Sequence, residues 1–216
     1  MPADPWTDVA RMAGCVAVTA VGVAPLLLVG GKVATAVRWW AVLTPAVLVL
    51  HAVVNAVFVA AGTAVEEHPL AKNTPQPALL VLQACFLAPL IEEVIFRGLI
   101  LFALRAAHEA LTWVALAGTI AAAAYYGGGG PALFSGLVAV AWVGARFGGF
   151  DRGVYGSAAL FAAVHSAVWP TPIPLLAFGL GLGVVALRTN GVLAPAIVHG
   201  LFNTVSVLFV LSSGAK

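Results

Sequence analysis

Apolar stretches recur along this 216-residue chain near residues 13–30, 39–61, 78–104, 111–126, 131–145, 155–169, 173–187 and 192–211, each broken by glycine, proline or charge. A helix needs about 20 apolar residues to cross the hydrocarbon core of a bilayer. The pattern therefore predicts an all-α fold, a polytopic integral membrane helical bundle of six to eight transmembrane helices. Composition agrees: only 8% of the residues are charged, against about 25% in a typical soluble domain. The stretches near 131–145 and 173–187 are short for spans and read as tilted, re-entrant or differently bounded, which is why the number is a range. The first stretch follows Asp4, Asp8 and Arg11, lacks a small-residue cleavage site and precedes equally hydrophobic spans. It reads as a retained helix rather than a cleaved signal peptide.

The formal net charge of +2 is thinly spread, so no basic patch points to nucleic acid. Lys32, Arg38, Arg105, Arg146, Arg152 and Arg188 follow odd-numbered spans, whereas Arg11, Lys72 and Lys216 fall on the other side. This bias favours odd-numbered loops in the cytoplasm. Cys15 and Cys85 both lie in apolar stretches, where a thiol packs as a small apolar residue. The Ala-, Gly- and Val-rich helices suggest a multi-pass protein of a prokaryotic cell membrane, with membrane lipid as its surroundings.

Two parts are distinguishable within what reads as a single folded unit. Residues 1–75 form an N-terminal transmembrane hairpin and a polar connector, Glu66-Glu67-His68-Pro69-Leu70-Ala71-Lys72-Asn73-Thr74-Pro75; residues 78–211 form a core that holds most of the intramembrane polar groups of interest. Gly127-Gly128-Gly129-Gly130-Pro131 reads as a turn. It lacks the Lys-Ser/Thr of a phosphate-binding loop.

Three charges, Glu92, Glu93 and Arg97, sit inside the apolar run 78–104. An Asp or Arg at the centre of a membrane helix costs roughly 2.5–3.5 kcal/mol on insertion scales, so such groups face a bundle interior or a wet cavity and mark candidate functional sites. Glu93 and Arg97 are four apart and predicted to pair on one face; a structural pair that fixes helix register is the competing role. Glu92 is rotated about 100° away and lacks a local partner. It must be protonated, hydrated or matched from another helix. Pro89 cannot donate to the carbonyl of Cys85 and is expected to kink the helix just before the carboxylates.

His165 ends Phe161-Ala162-Ala163-Val164-His165, and a lone histidine there is more often a hydrogen-bonded packing residue than a ligand. His199 and Asn203 share a face of the last span and can be aimed at one point, although helix-to-helix hydrogen bonding is an equal use for them. Together the three sets supply a base, a polarising group and donors for a developing oxyanion, the parts of a hydrolytic centre. His51 and Asn55 repeat the four-residue spacing in the second span, where an interhelical hydrogen bond is the favoured role. Gly179, Gly181 and Gly183 are expected to permit close helix approach, with Gly179 and Gly183 in small-x-x-x-small spacing.

Glu92-Glu93-Val94-Ile95-Phe96-Arg97, Phe161-x-x-x-His165 and His199-x-x-x-Asn203 resemble, in this order, the three motifs of the CAAX protease and bacteriocin-processing (CPBP, or Abi) family, which includes the type II CAAX prenyl endopeptidases. The resemblance spans about residues 78–207, with Gly98 and the Asn190-Gly191-Val192-Leu193-Ala194-Pro195 approach to the last motif. It implies an intramembrane endopeptidase with a conical catalytic cavity, acting on a membrane-associated peptide or protein that is in some members lipidated. It further implies that Glu92 and His165 activate the attacking water, that His199 and Asn203 stabilise the oxyanion, and that Glu93 and Arg97 orient them. The family is also labelled metalloprotease, and Glu92, His165 and His199 are a zinc-compatible set. None of the histidines lies in His-Glu-x-x-His, and a metal-free glutamate mechanism is preferred over zinc. A noncatalytic scaffold or bacteriocin-immunity protein of the same fold is the alternative, against which the unsubstituted motif set counts. A proton-coupled transporter is a third reading, disfavoured by the few spans and the lack of a repeat.

Overall fold

The computed structural model describes residues 5–23, 32–63, 76–106, 114, 117, 118, 121, 151–165 and 168–212. Every regular element among them is helical. They comprise α1 (Pro5–Val23), α2 (Lys32–Ala60), α3 (residues 77–106), α4 (Arg152–Ala163), α5 (Pro172–Thr189) and α6 (Leu193–Ser212). Among the described residues, α2, α3, α5 and α6 are long and apolar enough to cross a membrane, and Ala10–Gly22 within α1 forms a shorter apolar helix. The chain is a polytopic membrane protein. The expected spans near 111–126 and 131–145, the connector at 66–75 and the Gly127–Pro131 turn lie outside the described residues, apart from single helical positions between 114 and 121.

The exposed faces show why these helices need lipid. On α2, Val42, Val49, Val53 and Val57 form an exposed apolar stripe, while Val37, Trp40, Thr44 and Val47 are buried on the opposite side. On α3, Leu79, Leu82, Phe86 and Leu90 are exposed in the same helical rhythm. Such surfaces are what acyl chains solvate. The main core draws on both ends of the sequence: Cys15 of α1 and Trp40 of α2 join Phe96, Phe161, Phe178, Leu182, Val198 and Val205. Cys15 and Cys85 are free and buried on different helices.

The winding of α3 follows from its inner face. Cys85, Pro89, Glu93, Arg97 and Leu101 are all buried, and each follows the last by four residues. In an α-helix every such step drifts about 40° around the axis, so four of them would carry Leu101 about 160° from Cys85. Instead, Leu82–Leu87 and Val94–Ile100 are π-helical. Their wider turns slow the drift and keep the five side chains facing the bundle. The short α-helical segment Ala88–Glu93, which carries both carboxylates, lies between them.

Helix α4 starts at the N-cap Asp151, whose Oδ1 accepts from the Gly153 and Val154 N–H groups at 2.9 and 3.2 Å. Its other oxygen lies 2.8 Å from Arg105 Nε, and Arg152 Nη2 donates to the Arg105 carbonyl at 2.7 Å, so the end of α3 is tied to the start of α4. The expected span 155–169 stops early, at Ala163. A new helix, α5, begins at Pro172, a first-turn position where proline is tolerated. Helices α5 and α6 are joined by a short turn in which Asn190 is left-handed (φ 47°) and the Gly191 N–H reaches the Ala186 carbonyl at 3.1 Å. Asparagine tolerates that conformation better than most residues.

The glycines of α5 meet neighbours as their spacing predicts. A Cβ on Gly179 would lie 3.1 Å from Ala158 Cα, and one on Gly183 would lie 2.9 Å from Val154 Cγ1, so both glycines seat α5 on α4. Gly181 faces Leu43 of α2.

Candidate active site

Helix α3 carries Glu93 and Arg97 one turn apart, and both side chains are 0% exposed. Arg97 Nη1 donates to Glu93 Oε1 at 3.0 Å and Nη2 donates to the Gly179 carbonyl on α5 at 3.1 Å. The guanidinium lies over the Phe161 ring, 4.5 Å from its centroid. Two bonds and a ring face compensate a charge that has lost its water. The predicted local pair is present, and its anchor on α5 is what the spacing of α3 did not show.

Glu93 Oε1 also receives His199 Nδ1 from α6 at 2.9 Å. A carboxylate beside a guanidinium is an acceptor, so Nδ1 is the protonated nitrogen and Nε2 is turned outward. That Nε2 lies 3.8 Å from Glu92 Oε2. Glu92, which has no partner on its own helix, thus faces an imidazole of α6 at a separation too long for a hydrogen bond. Its side chain is 28% exposed, against 6% for His199. The four groups form a chain from a sealed end, Arg97 and Glu93, through His199 to a more open end at Glu92. Among the described residues, Glu93 Oε2 and Arg97 Nε are buried with no hydrogen-bond partner.

His165 lies just past the end of α4, partly exposed. Its Nδ1 donates to the Phe161 carbonyl at 2.8 Å, which makes Nε2 the unprotonated nitrogen of the neutral ring. The Phe161 ring is the common wall of the cluster: it packs against His165 at 5.0 Å, His199 at 5.6 Å and Phe96 at 5.4 Å between centroids. Phe178 holds the other side of His199, edge to face at 5.4 Å. Neither aromatic is assigned a role by polar-residue reasoning, although Phe161 opens the second motif. Likewise the Gly179 spacing reads as packing alone, yet its carbonyl holds Arg97.

Asn203 is one turn after His199 on α6 and also faces α3, but it reaches a different group. Its Nδ2 donates to the Ala84 carbonyl at 2.8 Å. His51 and Asn55 lie on α2 and contribute none of these contacts; no side-chain hydrogen bond joins either to another described residue.

Among the described residues no three His, Cys, Asp or Glu side chains are grouped so as to hold a metal ion, the expected set Glu92, His165 and His199 included. Both histidines bond through Nδ1, which leaves each Nε2 as the nitrogen able to face a ligand or substrate.

A family model described as "Type II CAAX prenyl endopeptidase Rce1-like" matches residues 74–150 and 139–205. The match takes in α3, α4, α5 and the first two-thirds of α6, and so all three polar motifs. No curated protein and no solved structure matches the chain. With well over half of its residues matched, including every group in the cluster, the chain belongs to the type II CAAX prenyl endopeptidase Rce1-like family.

Proposed function

We propose that this protein is a glutamate-dependent intramembrane endopeptidase that hydrolyses a peptide bond of a membrane-associated or lipidated peptide. Family membership supports a CAAX-type intramembrane protease in general. The observation that carries the finer reading is the chain Arg97–Glu93–His199–Glu92. It holds an oriented imidazole against a part-exposed carboxylate inside an apolar bundle.

In the proposed reaction Glu92, assisted by His165 Nε2, takes a proton from water as the oxygen attacks the scissile carbonyl carbon. The carbonyl π pair moves to oxygen, giving a tetrahedral oxyanion. His199 keeps Nδ1–H on Glu93 and turns its Nε2 edge towards that oxygen; Asn203 offers the Nδ2 hydrogen not bonded to Ala84. Collapse breaks the C–N bond, and Glu92 passes its proton to the departing amine. Arg97 holds Glu93 in place, so that the imidazole is oriented before substrate arrives.

A fluorogenic, C-terminally prenylated CAAX-type peptide tests this with purified protein in detergent or liposomes. Cleavage is expected, and Glu92→Ala should abolish it while retaining the wild-type melting curve. Undiminished cleavage by folded Glu92→Ala would sink the mechanism. Activity should persist after chelation, and stoichiometric zinc lost together with activity would overturn the metal-free reading. The Ala-, Gly- and Val-rich spans support a prokaryotic cell membrane as the setting.

A further inference from the structure

The hydrogen bonds of α3 leave one acceptor without a backbone donor. In the π-wound turn before the carboxylates, the Ala88 N–H donates to Gln83 O, five residues back. In that register the next carbonyl, Ala84 O, faces the nitrogen of Pro89, which has no hydrogen. An unfilled carbonyl in a membrane interior has no water to turn to, so it must be satisfied from within the protein. Asn203 Nδ2 does so from α6 at 2.8 Å. Only an N–H can face a carbonyl oxygen, which settles the orientation of the amide. The neighbouring acceptor is reached by the same helix: a Cβ on Gly200 would lie 2.5 Å from Cys85 O. Helix α6 therefore lays Gly200 and Asn203 on the two carbonyls beside the proline, and the residue before Gly200 is His199.

We propose that Asn203 is a positioning residue: by capping the Ala84 carbonyl that Pro89 leaves unfilled, it locks the proline turn of α3 to α6 and sets Glu92 and Glu93 in register with His199. This rests on the proposed endopeptidase reading and adds to it. A donor needed only by an oxyanion has no reason to be tied to the backbone of α3. A strut between the two helices does, because the Glu93–His199 and Glu92–His199 contacts both cross the joint that it closes.

The test is a double-mutant cycle between Asn203→Ala and Pro89→Ala. Alanine at 89 restores an N–H able to fill Ala84 O, which makes the strut redundant. With the prenylated peptide as probe, Asn203→Ala should lower kcat at least tenfold with KM within twofold. In the Pro89→Ala background the same change should cost at least threefold less. The melting temperature in detergent should show the same coupling, whether or not the peptide is cleaved. A wild type that cleaves nothing but shows coupled melting counts against the endopeptidase reading and leaves the strut standing. Equal Asn203→Ala penalties in both backgrounds, in kcat and in melting, would overturn it. If Pro89→Ala does not fold, hydrogen exchange decides. Asn203→Ala should speed amide exchange across Gln83–Glu93 at least tenfold, and unchanged exchange there would equally overturn the proposal.

Discussion

Glu93 Oε1 accepts from Arg97 Nη1 and from His199 Nδ1 at once, in a setting with no exposure to solvent. Removing one member of such a buried pair strands the other charge, at a cost of about 3–5 kcal/mol. Arg97→Met alone should therefore lower thermal stability in detergent strongly. Glu93→Gln combined with Arg97→Met should recover most of the loss, because neither charge is then left unpaired. Additive melting shifts in the double variant would contradict this. Glu93→Gln alone keeps an acceptor for His199 and removes its charge. A fall of about 10- to 100-fold in kcat is expected, by analogy with the carboxylates that orient metal-bound histidines. The pairing of Glu93 with Arg97 could be read from the sequence, since a four-residue spacing fixes neighbours on a helix whatever surrounds it. The partner of Glu92 could not, because Nε2 of His199 comes from a residue 107 positions later.

Helix packing carries the next predictions. Gly179→Ala would bring a Cβ to within 3.1 Å of Ala158 Cα and 3.3 Å of Arg97 Nη2. The backbone of α4 cannot rotate away, so overpacking should cost about 1–3 kcal/mol and disturb the guanidinium that depends on the Gly179 carbonyl. Gly181→Ala meets the branched tip of Leu43 instead, which has other rotamers available. It should be the milder change in both melting temperature and activity, and the reverse order would refute this account of α5. The three glycines announce close approach in the sequence, but not which helix each one meets. Winding is a similar case. The buried series Cys85, Pro89, Glu93, Arg97, Leu101 is visible as a four-residue period, yet an α-helix would not keep it on one face. That α3 adopts π segments to do so depended on the bundle.

For the whole molecule, the contacts gather positive charge at one end. Arg105 and Arg152 meet at the α3–α4 junction. Arg188 lies 5.0 Å from the Trp39 ring, and a Cβ on Gly191 would lie 3.9 Å from Lys32 Nζ. The contacts of Gly183 with Val154 and of Gly98 with Val192 join these groups at the same end of the bundle. We propose that this end faces the cytoplasm, the side that the asymmetry of basic loops favours. The variants Arg38→Cys and Arg188→Cys, each adding one exposed thiol, should react with an impermeant maleimide in inside-out vesicles and be protected in intact cells. Labelling from outside the intact cell would reverse the orientation. The native thiols, Cys15 and Cys85, are buried and free and give a low background.

The sequence alone determined the solvent, the secondary structure and the short-range pairing. Long apolar runs leave a chain little choice but helices in lipid, and residues four apart on a helix meet whatever lies around them. Tertiary structure decided everything that joins one helix to another: His199 to Glu93 and Glu92, Arg97 to Gly179, Asn203 to Ala84. Those links depend on how far the helices slide and rotate against each other. Close contacts such as Gly179 on Ala158 and Gly200 on Cys85 set that register, and no periodicity within one segment encodes it.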